Sequence, residues 1–95
     1  MKLDANHREI VRALIAAGCS VLDLSGARVK SCPDLCVGRA RVTVLMEIKS
    51  GVAGRDRHQR ADQEHQEAWH ARWRGGPVCV VRSVDEALRA VGVAP

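Results

Sequence analysis

Residues 42–50 read VTVLMEIKS, and the alternation inside this stretch decides how the chain folds. Side chains of an extended strand point to opposite faces in turn. Val42, Val44, Met46 and Ile48 therefore share one face, and Thr43, Leu45, Glu47 and Lys49 share the other. The first face is wholly apolar and belongs against a core. The second turns polar toward its end, where an acid and a base stand two positions apart.

Reading upstream, DLCVG (34–38) is a second short strand, and RARV (39–42) turns the chain into the third. CSVLDLS (19–25) is the first strand, and GARVKSCP (26–33) is a loop punctuated by Gly and Pro. Residues 5–17 carry Ile10, Val11, Leu14, Ile15 and Ala17 at helical spacing, with Asp4 or Asn6 as a cap and Gly18 as a stop. Downstream, SGVAGRDRHQR (50–60) has no apolar periodicity and reads as a mobile basic loop. ADQEHQEAWHARWR (61–74) is a helix with Trp69 and Trp73 at i, i+4, and GGP stops it. VCVVR (78–82) is a fourth strand. SVDEALRAVG (83–92) is a last helix, opened by a Ser83/Glu86 capping box and closed by Gly92.

The order is helix, strand, strand, strand, helix, strand, helix. Three strands on short connections form an antiparallel meander, and the later strand–helix–strand step demands a crossover with one parallel pair. The fold class is α/β of the mixed α+β kind, a mixed sheet flanked by helices.

Ninety-five residues make one domain, 1–95, near the small end of self-sufficient folds. With two Trp and no Phe or Tyr, the core is aliphatic and thin, which favours a homodimer that would bury more apolar surface. The helix of 61–74 is expected to use Trp69 and Trp73 to cover the sheet rather than as base-stacking platforms. The net charge of +4 suits a polyanionic partner. Its distribution says more, because basic residues crowd into Arg28–Lys30, Arg39–Arg41 and Arg55–Arg60, all expected in loops. Arg28, Lys30, Arg55, Arg57 and Arg60 are the candidates for phosphate contacts. The start MKLDANHREIV has no apolar signal-peptide core, and no stretch is long enough to cross a membrane. The expected setting is the cytoplasm, with Cys19, Cys32, Cys36 and Cys79 reduced and mostly buried.

If the second and third strands pair through the 39–42 turn, the start of one lies beside the end of the other, and Asp34 meets Glu47. Two close carboxylates repel, and a divalent cation relieves the repulsion. Hard carboxylate oxygens suit Mg²⁺ or Mn²⁺. A lysine beside them can hold an attacking water or stabilise charge building on a phosphate oxygen.

This P-D…E-x-K pattern, Pro33–Asp34 with Glu47 and Lys49, resembles the signature of the PD-(D/E)XK nuclease superfamily. That family's core runs helix, strand, strand, strand, helix, strand, so the resemblance covers nearly the whole chain. Within the superfamily the chain is most similar to the small VRR-NUC type and to Holliday-junction-resolvase-like phage nucleases. The resemblance implies a restriction-endonuclease-like core and a Mg²⁺-dependent endonuclease that hydrolyses DNA phosphodiester bonds, leaving a 5′-phosphate and a 3′-hydroxyl. It implies Asp34, Glu47 and the backbone carbonyl of Ile48 as metal ligands and Lys49 as the residue that orients or activates water. It adds Glu9 of the first helix as a further acid acting through a metal-bound water, and Gln66 as a residue that positions the site or touches the DNA backbone. Relatives usually act as dimers, so that two sites address two strands; the expected substrate is branched or replicating DNA, with a helicase or other replication or recombination protein as an expected partner.

Other readings of the same residues exist. Glu9 at the third position after an Asn6 cap would merely close a capping box. Cys32 and Cys36 with His58, His65 or His70 could form a zinc site, but the spacing matches no known knuckle, and His65 and His70 do not share a helix face well. A DNA-binding module of the same fold without turnover is the main alternative. The presence of every expected catalytic residue type speaks against it.

Overall fold

The computed structural model describes residues 5–49 and 57–93, and for 57–63 the backbone alone. The elements are α1 (Ala5–Ala16), β1 (Ser20–Asp23), β2 (Leu35–Arg39), β3 (Val42–Ile48), α2 (Arg57–Arg72), β4 (Val78–Val81) and α3 (Val84–Ala90). This is the expected order. The four strands form one mixed sheet in the order β1-β2-β3-β4, antiparallel except for the parallel pair β3 and β4. Among the described residues, no helix is long and apolar enough to cross a membrane.

The core follows from the alternation in β3. Val44 and Met46 are buried, and their cross-strand partners Val37 and Leu35 are buried with them. Ile10 and Leu14 of α1, Cys19, Val81 of β4 and Ala87 of α3 complete the cluster. Helices α1 and α3 thus lie together on this face, while α2 reaches the sheet from the other side through Gln66 and Glu47. Val42 breaks the pattern and is exposed, because it stands at the hairpin end.

Both predicted glycine stops occur. Gly18 (φ +89°) and Gly92 (φ +80°) sit where the helix ends in a left-handed residue. In each case the following amide reaches back to the carbonyl of the last turn, Cys19 N to Leu14 O at 3.0 Å and Val93 N to Leu88 O at 2.9 Å. Ser83 caps α3, its Oγ accepting from Glu86 N at 3.1 Å. Glu86 reaches one residue further back than the capping box predicts, accepting from Arg82 N at 2.6 Å.

Some expectations are corrected. The segment read as a loop to residue 60 is helical from Arg57, so Arg57 and Arg60 belong to α2. Arg55 lies outside the described residues. Arg39 ends β2 and donates to Val91 O at 3.1 Å rather than standing in a loop. The hairpin turn itself is Ala40–Arg41, both with positive φ (50° and 68°), a tight two-residue connection made without the glycine or asparagine that usually relieves it. Asn6 does not cap α1 but lies within it. The cysteines are all free, and Cys19 alone is fully buried. Trp69 and Trp73 stand outside the core cluster, and Trp73 is 43% exposed. The reason is that α2 touches the sheet near Glu47 and does not spread over it.

A polar pair ties α1 to the first strand. Buried His7 meets Asp23, Nε2 to Oδ2 at 2.9 Å, while Ser25 Oγ and N donate to Asp23 Oδ1 at 2.6 and 2.9 Å. Partial burial works against the Asp23 charge, but the bonds from Ser25 and His7 and the His7 charge outweigh it and hold its pKa below the ordinary carboxylate value. A depressed carboxylate stabilises the fold above its unfolded pKa, and the contribution fades as pH falls through the folded value. Asp23→Asn should cost about 0.5–1 kcal/mol at neutral pH, the modest value that solvent screening leaves to a side chain 38% exposed. The gap to the parent chain should close below the ordinary carboxylate pKa in urea melts taken across the acid range. A gap that persists unchanged to the acid end would contradict this linkage.

Candidate functional site

The site gathers where β2 begins and β3 ends. The β2–β3 register pairs Leu35 with Met46, so one step further places Asp34 opposite Glu47 on the same face. Asp34 is fixed there by two bonds. Its backbone carbonyl accepts from Leu24 N at 2.7 Å, and its Oδ2 accepts from Ile48 N at 2.7 Å. The carboxylate thus takes the place of a strand carbonyl. In an extended residue N–H and C=O point to the same edge. The Ile48 carbonyl is therefore directed to the β2 edge, where Asp34 stands.

Glu47 is 3% exposed, a buried carboxylate. Gln66 of α2 donates from Nε2 to Glu47 Oε2 at 3.0 Å, and its Oε1 accepts from Lys49 Nζ. One amide therefore spans the acid and the base of E-x-K. From the opposite side, Asn6 Nδ2 donates to the backbone carbonyls of Lys49 at 3.1 Å and Arg82 at 3.2 Å. The parallel step is closed by Lys49 N to Val81 O at 3.0 Å. The end of β3 is thus held by α1, α2 and β4.

Two further residues, offered by the sequence only as zinc candidates, interact with the site. Burial first, then the charges of Asp34 and Glu47, push the Cys32 thiol above its ordinary pKa. Burial first, then the Lys49 ammonium, push His70 below the ordinary imidazole value, partly offset by Glu67. His70 Nε2 is buried without a hydrogen-bond partner among the described residues. The signal for His70 was present: it stands one helical turn after Gln66, on the same face. Cys32 carried no such signal, because its place depends on the course of the loop.

Not every candidate joins the group. Glu9 is exposed on α1. Among the described residues no group of three or more His, Cys, Asp and Glu is arranged to hold a metal ion. Asp34 and Glu47 are neighbours by continuation of the strand register, and Cys32 and Cys36 make no such set with His65 or His70. Arg28 and Lys30 are exposed in the loop leading to Asp34. The side chains of His58, Arg57 and Arg60 lie outside the described residues.

Comparison with known proteins gives no match to a family model, a curated protein or a solved structure.

The Gln66 bridge yields a stability test. Gln66→Leu would leave a buried carboxylate and an ammonium without their amide partner and should cost about 1–3 kcal/mol. Chemical denaturation should show a lower midpoint with an unchanged slope. An unaltered midpoint would mean that the bridge does not hold α2 to the sheet.

Proposed function

We propose that the chain is a divalent-metal-dependent endonuclease of the PD-(D/E)XK type that hydrolyses DNA phosphodiester bonds. The observation that carries this reading is the β2–β3 register, which continued by one step sets Asp34 across from Glu47, with Lys49 joined to Glu47 through Gln66. Two carboxylates and a backbone carbonyl offer hard oxygen donors, and Mg²⁺ is commonly held by one or two carboxylates with water and phosphate oxygens filling the rest. Asp34, Glu47 and the Ile48 carbonyl would hold the ion, which would supply charge stabilisation to the phosphate oxygens.

The chain's own residues have the remaining work. Lys49 presents an ammonium held by Gln66, and in this reading it orients the attacking water or offsets charge on the phosphate. Gln66 is a positioning residue, since it acts through Glu47 and Lys49. Arg28 and Lys30 would take neighbouring phosphates, which makes binding salt-sensitive. Glu9 enters this scheme only through an intervening water. Branched or replicating DNA as the substrate, a homodimer that addresses two strands and delivery by a helicase belong to the same proposal.

The test is cleavage of labelled duplex, single-stranded, flap and four-way-junction DNA with Mg²⁺ and with EDTA. Cutting should require the metal and should fall at least about 100-fold in Asp34→Asn, Glu47→Gln and Lys49→Ala, with a much smaller loss in Glu9→Gln. DNA binding with no product on any of these substrates would favour the non-enzymatic binding module instead.

A further inference from the structure

A second surface lies along the C-terminal half of α2. The chain has no Phe or Tyr, and its two Trp stack on each other with ring centroids 5.1 Å apart and planes 14° from parallel. Trp73 keeps 43% of its surface exposed instead of adding to a thin aliphatic core. Its Nε1 donates to Gly76 O at 3.1 Å, and a Cβ at Gly75 would come within 2.6 Å of its ring. The bare glycine thus lets the indole settle against the turn that follows the helix.

Charge surrounds this pair. A groove of about 190 Å³ runs between Trp69, Arg72 and Trp73, and one of about 650 Å³ passes Ala71, Arg72, Trp73 and Arg74. A third, of about 400 Å³, is lined by Lys30, Ser31, His65, Ala68 and Arg72. Arg72 borders all three, and none is lined by an acid among the described residues. The third groove links α2 to the loop that enters the site at Asp34.

We propose that this surface binds an unpaired stretch of the DNA strand, one base stacking on the exposed indole and the adjoining phosphates lying along Arg72, Arg74 and Lys30. The proposal rests on the nuclease reading for the identity of the polymer. An indole face can stack only on a base whose own face is free, and such stacking tolerates any sequence. In a duplex those faces are taken. The helix supplies the spacing as well: Gln66 and Trp73 are separated by seven residues, about 10 Å of axis. That distance is about three nucleotide steps at the rise of a stacked strand. A strand cut beside Glu47 would thus place an unpaired base near Trp73, and the substrate would be DNA with a single-stranded segment flanking the cut.

The two indoles are the chain's only Trp, so their emission reports this surface alone. The wild-type chain is titrated in EDTA, where no cutting occurs, with short oligo-dT and with a duplex of equal length. Oligo-dT should quench the emission and the duplex should leave it nearly unchanged. Binding measured by anisotropy of labelled oligo-dT should weaken about 5- to 100-fold in Trp73→Ala and recover in Trp73→Phe. Arg72→Gln should flatten the salt dependence while leaving the quench intact. If Trp73→Ala fails to fold, the Phe and Gln variants with the duplex comparison still decide. Equal quenching by duplex, or oligo-dT affinity unmoved by Trp73→Ala, would overturn the proposal without touching cleavage. Absence of metal-dependent cutting beside an intact, strand-selective quench would overturn the nuclease reading and leave this surface standing.

Discussion

The backbone amide of Ile48 finds its acceptor in a side chain. At the end of β3 the neighbouring strand no longer offers a carbonyl, and the Asp34 carboxylate takes that place at 2.7 Å. An amide left without an acceptor at such a half-buried position would be costly. The bond therefore fixes Asp34 in place, and with it the carboxylate opposite Glu47. Register carries the same message. A slip of one residue between β2 and β3 would turn Leu35 and Val37 out of the core and send Asp34 away from Glu47. Packing and site geometry are thus enforced by one pairing.

Around that pairing stands a small polar network in a chain with little apolar mass to spare. Glu47 is buried, and the Gln66 amide answers both it and Lys49. Asn6 gathers the carbonyls of Lys49 and Arg82, joining α1 to the ends of the parallel strands β3 and β4. A hydrogen-bonded network of this kind restricts the local arrangement, and losing one member leaves the others exposed to the desolvation penalty. The two helices that carry Asn6 and Gln66 approach from opposite faces, so the end of β3 is held on both sides. On the proposed reading, this rigidity is what a metal-binding acid pair requires.

Much of this was legible in the residues, and the reasons are local. The alternation in 42–49 separates Val44 and Met46 from Glu47 without any tertiary knowledge, and Gly18, Ser83 and Gly92 mark helix ends through their own backbone chemistry. The start of α2 was not legible. Residues 57–60 carry no apolar periodicity, and their helix continues from the regular segment behind it. Asn6 misled because a residue type that favours caps here spends its amide on distant carbonyls. The Trp pair misled for a related reason: i, i+4 spacing shows that two rings meet, but not which surface they cover. The influence of both acids on Cys32 depends on a loop path that no periodicity encodes.

The central claim is that Asp34 and Glu47 form one acid pair able to share a divalent ion. It is tested most directly by Mn²⁺ binding, followed by electron paramagnetic resonance, to the folded parent chain and to Asp34→Asn and Glu47→Gln in the absence of DNA. The account predicts that the parent chain takes up the ion and that either substitution abolishes most of the bound signal while circular dichroism stays unchanged. Undiminished Mn²⁺ binding in both folded variants would contradict it.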